Sequence, residues 1–219
     1  RQMCIRDSSI AGLLSDSKLK VESKKLQLGE NDLSKLSQKD WESTRGKNIG
    51  MVFQEPQSSL NPSMRCGIQV MERLQKFEKG DKKTNIAKVL SAFNEVQLPN
   101  PERVFKAYPH ELSGGQKQRV MIVMALICKP QLLIADEPTT ALDVSVQKEI
   151  LSLIKEQKKI NKMSILFISH DLSLVSQFAD RVIVMHQGKL IETEKTAKIF
   201  RHPKFPYTRA LIFARPQPN

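Results

Sequence analysis

One short segment constrains the fold more than any other: the apolar run Leu132 to Ala135, followed directly by Asp136 and Glu137. Apolar residues bounded by a proline and an acidic residue are typical of a buried strand. Apolar spacing then predicts a helix, a strand, a helix and two strands joined by a turn, over Ser145–Ile160, Ser164–Ile168, Leu172–Phe178, Arg181–Met185 and Lys189–Glu192. Strands that alternate with helices favour the α/β class, with a largely parallel sheet.

The first half of the chain has a different pattern. Residues Asn48–Phe53 are predicted to form a strand, and the following loop, Glu55–Ser63, is rich in Ser, Asn and Pro. Helical spacing without a convincing strand then runs from about Cys66 to Ala107, which indicates a helical insertion between two sheet-forming parts. The proline-rich end, Pro203–Pro218, is predicted to be irregular. The length of 219 residues suits one domain, or one domain with an insertion.

Composition excludes several classes of protein. With 40% hydrophobic and 26% charged residues, the chain can bury a core and is not a disordered tail. Its longest apolar run, Val120–Cys128, is too short to cross a bilayer, and no secretory apolar segment is recognisable near the start. The three cysteines are scattered and form no metal-ligand cluster. Their odd number excludes a disulfide scaffold and fits a reducing cytosol.

The net charge of +12 comes from 35 basic and 23 acidic residues. Such an excess can indicate contact with nucleic acid or with an anionic membrane. Between Asp16 and Lys47, however, eight basic residues are interleaved with six acidic ones, and no long block of one sign occurs. The aromatic share of 5% also argues against a surface on which bases stack. We therefore interpret the charge as a solvated, lysine-rich surface and predict no nucleic-acid partner.

The two carboxylates after the predicted strand are candidates for phosphate chemistry. Ligands of open α/β sheets bind at the carboxyl ends of the strands, which is where Asp136 lies. A carboxylate there can hold Mg²⁺, usually through its water shell. Glu137, next in the chain, can polarise a water molecule for attack on phosphorus. The alternative is that Asp136 caps a turn and Glu137 lies on the surface.

The segment Leu112-Ser113-Gly114-Gly115-Gln116 precedes another predicted helix. Two glycines allow the backbone to approach an anion closely, and a helix N-terminus presents free amides and a positive dipole end. Ser113 adds a hydroxyl donor. The segment therefore predicts a phosphate site, although an ordinary helix cap with flexible glycines would be the better explanation of an isolated Ser-Gly-Gly.

Two more polar residues follow predicted strands. Gln54 comes directly after Phe53, and its amide can ligate Mg²⁺ and sense a γ-phosphate. His170 follows Ile168 and Ser169, and an imidazole at that position can bond a γ-phosphate and orient the attacking water. Taken alone, either residue would be interpreted as a polar residue that begins a loop.

The order and spacing of these residues resemble the ATP-binding cassette (ABC) family of ATPases, from about Ile10 to Leu211. Leu112–Gln116 resembles the family signature and Leu132–Glu137 its Walker B strand. The D-loop, Q-loop and switch histidine of the family are matched by Ala141–Asp143, Gln54 and His170. Matches at Leu112–Arg119 and Ala135–Asp143 together make coincidence implausible.

The resemblance implies an α/β fold: a P-loop NTPase-like (RecA-like) core with a mostly parallel sheet and an inserted helical subdomain. It divides the single ABC domain into a core over residues 1–57 and 129–200, a helical subdomain with the signature over 58–128, and a C-terminal tail over 201–219. It implies that Glu137 and His170 are catalytic and that Gln54 and Asp136 hold Mg²⁺. It further implies that ATP is bound by Gln54, Ser113, Gly114, Gly115, Gln116, Asp136, Asp143 and His170.

A finer resemblance is to the peptide-importer branch of the family. It is carried by Phe53–Pro62, Tyr108–Arg119, Asp136–Val146 and His202–Leu211. It implies an ATP-hydrolysing subunit of a dipeptide, oligopeptide or nickel importer. Its partners would be a second ATPase subunit, identical or paralogous and arranged head to tail, membrane permease subunits and, indirectly, a substrate-binding protein. The subunit would be peripheral, at the cytoplasmic face of the membrane, with no transmembrane segment.

The chain departs from the family pattern in one respect. The P-loop string Gly-x-x-x-x-Gly-Lys-Ser/Thr does not occur, and neither Gly46-Lys47 nor Gly188-Lys189 has a glycine five residues earlier. Ser9–Leu14 resembles the helix that follows a P-loop, so we expect the chain to begin just after that element and the first strands. Residues Arg1–Asp7 do not resemble the family and are expected to be foreign. We predict that the polypeptide as written binds ATP poorly and hydrolyses it negligibly.

Two other functions are compatible with the same residues. One is a soluble ABC-type ATPase that acts on nucleic acid or ribosomes, which would explain the net charge of +12. Such relatives usually carry two cassettes or a long coiled-coil insertion, and neither occurs here. The other is a non-catalytic nucleotide-binding or regulatory module that lacks the P-loop by design, although the intact Glu137, His170 and signature argue against it.

Overall fold

A three-stranded parallel sheet forms the centre of the computed structural model, which describes residues 25–53, 59–140 and 142–214. Its strands are β3 (Ile49–Val52), β4 (Leu132–Asp136) and β5 (Ser164–Ile168), in the order β3-β4-β5. Because all three run in one direction, their carboxyl ends meet at one edge of the sheet. The predicted α/β class with a parallel sheet is confirmed, and the candidate residues that follow β4 and β5 lie at this edge.

The sheet is covered on both faces, which explains why β4 is almost wholly apolar. Leu133 contributes to the large core formed with the helices, whereas Ile134, the next residue, packs with Ile49 and Leu33 in a smaller cluster on the other face. A Cβ on Gly50 would lie 2.5 Å from the carbonyl oxygen of Ala125, so only glycine lets the helix of Ala125 approach β3 so closely.

The segment between β3 and β4 is helical, as its apolar spacing predicts. Its α-helices include α2 (Cys66–Phe77), α3 (Lys82–Glu95), α4 (Pro101–Lys106) and α5 (Gly114–Leu126). They share one core in which residues such as Val70, Val89, Phe93 and Ile122 have no exposed surface. Burial of each such side chain stabilises the folded state by roughly 1.5–3 kcal/mol. The division of the domain at residues 57, 128 and 200 remains a prediction.

Further strands and α-helices lie in the chain before β3 or after β4. The bounds of those before β4 are β1 (Gln27–Leu28), β2 (Asn31–Asp32) and α1 (Gln38–Lys47). The bounds of those after β4 are α6 (Val144–Asn161), α7 (Leu172–Phe178), β6 (Arg181–His186), β7 (Lys189–Lys195), α8 (Thr196–Arg201) and α9 (Pro206–Phe213). Within the described ranges, no helix combines the length and the apolar character that crossing a bilayer requires.

Strands β6 and β7 form an antiparallel hairpin of their own. The turn between them is made by Gln187 and Gly188, both with positive φ (46° and 77°). Two successive residues of that kind give the tight turn whose twist matches a hairpin. The two strands and the turn were predicted, and the structure adds that they pair with each other and not with the parallel sheet.

The prediction of an irregular end over Pro203–Pro218 was wrong for Pro206–Phe213, which form α9, and residues 215–218 lie outside the described residues. Proline is favoured at the first position of a helix, since its missing N–H is not needed there and its φ is already helical. Tyr207 and Leu211, one helical turn apart, pack against the cluster formed by the β6–β7 hairpin and α8. The prolines were interpreted as helix breakers, whereas Pro206 begins a helix that this cluster holds in place.

A buried carboxylate anchors the start of α9. Glu192 on β7 is only 4% exposed, and its Oε1 and Oε2 accept hydrogen bonds from the backbone N–H of Lys204 (3.0 Å) and Phe205 (3.4 Å). Burial alone would raise the pKa of this carboxyl, but the hydrogen bonds outweigh it and hold the pKa below its usual value. The anchor is therefore charged at neutral pH, and its contribution to stability is lost as the pH falls through that lowered pKa.

Candidate functional site

The acidic pair lies where β4 ends. Asp136 is the last residue of β4 and Glu137 the first after it, and both side chains are largely buried, with 7% exposure each. Asp136 Oδ1 is fully buried and has no hydrogen-bond partner within the part of the chain that the structure describes. A buried acceptor without a partner costs about 1–3 kcal/mol. A hard cation at this oxygen would satisfy it, so Asp136 suits the role of a Mg²⁺ ligand.

Glu137 is held in an uncommon backbone conformation. Its φ is +45°, a left-handed value that costs a residue with a Cβ roughly 1–3 kcal/mol. Its N–H donates to the carbonyl of Ile168 at the end of β5 (2.9 Å), so the neighbouring strand fixes the turn. Its side chain is fixed as well, because Oε2 accepts a hydrogen bond from Thr140 Oγ1 at 2.8 Å.

His170 meets Glu137 across the end of the sheet. The register pairs Asp136 with Ile168, so the residues that leave β4 and β5 emerge side by side. His170 Nδ1 lies 2.7 Å from Glu137 Oε1, although 76% of the histidine side chain is exposed. The structure therefore brings the two predicted catalytic residues into direct contact: a buried carboxylate and an imidazole that faces outward.

The Ser113 segment begins α5, as predicted. Ser113 Oγ accepts from the N–H of Gln116 (3.3 Å), and Gln116 Oε1 accepts from the N–H of Ser113 (3.1 Å). This reciprocal capping box satisfies two amides, while those of Gly114 and Gly115 have no partner among the described residues. Ser113 and Gly114 are exposed. The turn therefore presents free N–H groups and the positive end of the helix dipole to the outside.

Asp143 lies beside this turn in the same chain. It is exposed and precedes α6, and its carbonyl accepts from the N–H of Gln147 at 2.8 Å. The two helix starts touch: a Cβ on Gly115 would lie 3.0 Å from Val146 Cγ1 of α6. The predicted signature and D-loop residues are thus neighbours, and a larger side chain at position 115 would press on α6.

Gln54 lies outside the described residues, and so do Ala141 and the Ser9–Leu14 segment. What the structure gives is the strand before Gln54: β3 ends at Val52, which pairs with Ala135, the residue before Asp136. The proposed roles of Gln54 in binding ATP and Mg²⁺ remain predictions.

For two residues of the site, reasoning from the sequence predicted no role. Thr140 bonds the Glu137 carboxylate, and Gln118 on α5 donates through Nε2 to the carbonyl of Pro138, the residue after Glu137. Gln118 is 1% exposed. The available signal was a glutamine at the start of an apolar helical run, because a buried amide needs a partner.

Comparison with known proteins identifies the family to which the chain belongs. A family model described as "ABC transporter" matches residues 8–140. The chain is 45% identical over 209 residues to the dipeptide transport ATP-binding protein DppD of Haemophilus influenzae, covering 95% of this chain and 63% of that protein. It is 48% identical over 185 residues to the oligopeptide transport ATP-binding protein OppD of Bacillus subtilis, covering 84% and 52%. The chain therefore spans less than two thirds of the length of these relatives.

Solved structures give the same result. CbiO1 from Clostridium perfringens, part of the ABC transporter complex cbiONQ, has a TM-score of 0.77 at 28% identity, covering 91% of this chain and 75% of that one. The dimeric post-hydrolysis structure of the ATP-binding cassette MJ0796, bound to ADP and Pi, has a TM-score of 0.75 at 25% identity, covering 89% and 80%. Since the family model matches more than half of the sequence and the fold agrees, the chain belongs to the ABC transporter family.

Proposed function

We propose that the whole gene product containing these residues is the ATP-hydrolysing subunit of an ABC importer for short peptides. The observation that carries the proposal is the 2.7 Å contact between Glu137 and His170, beside the buried Asp136 at the carboxyl edge of the parallel sheet. A carboxylate fixed next to an imidazole, with a cation ligand alongside, is suited to directing water at a terminal phosphate.

Within one subunit, Glu137 is proposed as the general base. Its two oxygens are bonded by His170 and Thr140, so the carboxylate is oriented before any nucleotide arrives. His170 is proposed to bond the γ-phosphate with its exposed ring and to keep Glu137 aimed at the water. Asp136, together with Gln54, would hold Mg²⁺, whose charge supports a phosphate leaving group when the ion is bound.

The Ser113–Gln116 turn is proposed to serve a nucleotide bound to a second ATPase subunit. Its free amides lie at a helix start at which Ser113 and Gly114 are exposed. A head-to-tail pair would therefore place this turn opposite the acidic pair of its neighbour, with Asp143 at the seam. The dimeric ATP-binding cassette among the structural relatives supports such an assembly. The second subunit is proposed to be an identical or a paralogous chain.

Permease subunits are proposed to contact the groove between the sheet-forming and helical parts. This groove has a volume of about 470 Å³ and lies between α1, the end of β3 and α2. Its lining combines two aromatic side chains with charges of both signs, namely Phe53, Phe77, Glu42, Arg45, Glu72, Arg73 and Lys76. Such a surface suits a short amphipathic segment of a membrane protein. The subunit would then lie peripherally at the cytoplasmic face of the membrane, with a substrate-binding protein as an indirect partner.

Short peptides are the proposed cargo because relatives named for dipeptide and oligopeptide transport match 95% and 84% of this chain. The test is reconstitution of the whole gene product with its permeases in liposomes. Separate preparations contain a substrate-binding protein loaded with a dipeptide, with an oligopeptide or with nickel. We expect ATP hydrolysis to rise with a peptide-loaded binding protein. Stimulation by nickel alone, or hydrolysis stimulated only by nucleic acid, would refute the peptide assignment.

A separate proposal concerns the 219 residues by themselves. They contain no Gly-x-x-x-x-Gly-Lys-Ser/Thr string, and in P-loop ATPases that loop supplies most backbone contacts to the phosphates. We expect the purified 219-residue polypeptide to bind ATP weakly and to hydrolyse it negligibly. Ordinary turnover by this polypeptide in a phosphate-release assay would contradict the expectation.

A further inference from the structure

The loop that carries Glu137 is tied to two helices by glutamine side chains. We call residues 137–140 the Glu137 loop. Gln118 Nε2 of α5 donates to the carbonyl of Pro138, and Gln147 Nε2 of α6 donates to the carbonyl of Thr139 at 3.1 Å. Two successive carbonyls of the loop are therefore held from two different directions.

The Gln118 tether is the more deeply buried one. Gln118 is 1% exposed and is followed on α5 by Val120 and Ile122, which have no exposed surface. In such surroundings a side-chain amide has no access to water, so its N–H must be satisfied by protein. Gln147, by contrast, is only partly buried. The bond to Pro138 thus fixes the position of α5 relative to the Glu137 loop.

The same helix begins at the outward-facing anion turn. Ser113 caps α5 and Gln118 is five residues further along, about 7.5 Å on a helix that rises 1.5 Å per residue. A further link, from Arg119 Nη1 to the carbonyl of Val96 at 2.6 Å, holds the adjacent residue of α5 to the end of α3. A rigid helix therefore joins the turn that engages an external phosphate to the carbonyl next to the proposed base.

We propose that Gln118 is a positioning residue that couples the two nucleotide sites of the dimer. The inference rests on the proposed function, in which the Ser113 turn of one subunit completes the site of its neighbour. Displacement of α5 when this turn engages the neighbour's phosphate moves the Pro138 carbonyl, and with it Glu137, in the subunit's own site. Occupation of one nucleotide site thereby changes the geometry of the other, so the two sites are coupled.

Gln147 provides a matched control. It is also a glutamine and it bonds the adjacent carbonyl of the same loop, but it lies on α6, which contacts the anion turn through Val146 and does not carry the amides of that turn. Replacing Gln118 or Gln147 by methionine removes the donor while keeping a flexible side chain of similar length. Both changes should loosen the Glu137 loop, but only Gln118→Met should uncouple it from the Ser113 turn.

The tether is tested without nucleotide. The Thr140 amide donates to the Glu137 carbonyl at 3.1 Å and reports whether the loop stays closed. In the whole gene product, we expect Gln118→Met to raise the hydrogen-exchange rate of this amide at least about fivefold through local opening. Unchanged exchange in the folded variant would overturn the tether. Gln118→Leu serves as the second variant if the methionine protein does not fold.

The coupling is tested by ATP hydrolysis in the reconstituted transporter. We expect the native protein to show a Hill coefficient for ATP of roughly 1.5–2, since two coupled sites allow at most 2. The Hill coefficient should fall to about 1 in Gln118→Met and stay at the native value in Gln147→Met. In Gln118→Met we also expect a lower kcat and a KM that stays within about twofold of the native value.

The remaining outcomes separate the two proposals. A non-cooperative native protein, a native Hill coefficient in Gln118→Met, or an equal fall in Gln147→Met would overturn the coupling. If the native transporter hydrolyses no ATP, the proposed function fails and the coupling fails with it. The exchange measurement, which needs neither nucleotide nor a second subunit, still decides whether Gln118 holds the loop.

Discussion

The two halves of the candidate site differ in how they are supported. The acidic half is buried and internally bonded: Glu137 is 7% exposed, and its side chain contacts both His170 and Thr140. At the start of α5, Ser113 and Gly114 are exposed, and the side-chain bonds that this half makes to other described residues run between Ser113 and Gln116. One half is organised before a ligand binds, whereas the other presents backbone donors that have no partner in the part of the chain that the structure describes.

This difference suggests a different function for each half of the site. Oriented groups in a water-poor site act on developing charge without reorganisation, so the acidic half is suited to chemistry. Exposed amides at a helix N-terminus attract an anion but lie in water, so they contribute most when a partner covers them. We therefore expect changes in the acidic half to affect the rate of hydrolysis and changes in the other half to affect assembly.

The largest effect is expected for Glu137→Gln in the whole gene product. The amide keeps the side-chain shape but cannot accept a proton, so kcat for ATP should fall by about 10²–10⁴, the range for loss of a general base. ATP-bound dimers should accumulate, because closure no longer leads to hydrolysis. Size-exclusion chromatography with ATP and a phosphate-release assay measure both effects. Glu156→Gln, on the exposed side of α6, is the control, and near-native hydrolysis in Glu137→Gln would argue against the assigned base.

A smaller effect, about 100-fold on hydrolysis, is expected for Gly115→Leu, comparable to the loss of one preorganised backbone donor. Even a Cβ at this position would lie 3.0 Å from Val146 Cγ1, so the larger side chain displaces the turn or covers its amides. Binding of ATP to the isolated subunit, measured by calorimetry, should not change, whereas ATP-dependent dimerisation should disappear. If binding to the isolated subunit fell as much as hydrolysis, the turn would serve its own chain and the comparison between the halves would fail.

The fold was largely predictable because its signals are local. Strand β5 and helix α7 have the bounds predicted from apolar spacing, and β4 is longer by one residue, Asp136. No prediction was made for β1, β2, α1 and α8, and the prediction for α9 was wrong because Pro206 was interpreted as a breaker. Its helix depends on packing of Tyr207 and Leu211 against the β6–β7 hairpin, which no local pattern reveals.

The site was predictable as a set of residues but not as a set of contacts. Asp136, Glu137 and His170 stand out because polar residues follow apolar strands. The 2.7 Å contact between Glu137 and His170 depends on the register between β4 and β5. The roles of Thr140 and Gln118 depend on how close their side chains lie to the Glu137 carboxylate and the Pro138 carbonyl. The contact of Glu137 with His170 and that of Gln118 with Pro138 join distant parts of the chain, so spacing along the sequence does not predict them. Thr140 is only three residues from Glu137, but its hydrogen bond depends on the conformation of the loop.

The smallest effect is expected for Ser113→Ala, which tests whether the cap of α5 has a second use. Loss of the capping oxygen should lower the free energy of unfolding by about 1 kcal/mol, measured by urea denaturation. Ser37 offers a matched control, because its Oγ caps α1 through the N–H of Asp40 at 3.3 Å, the distance that Ser113 Oγ makes to the N–H of Gln116. Ser37→Ala should therefore cost similar stability.

Only the Ser113 variant should also weaken ATP-dependent dimerisation, by about fivefold if one hydroxyl contact of about 1 kcal/mol to the neighbour's phosphate is lost. The pair of variants thus separates the two uses of a helix cap: holding the chain together and binding an anion supplied by another subunit. Equal losses of stability with equal dimerisation would mean that the hydroxyl of Ser113 only caps its helix. The exposed half of the site would then bind through its glycine amides alone.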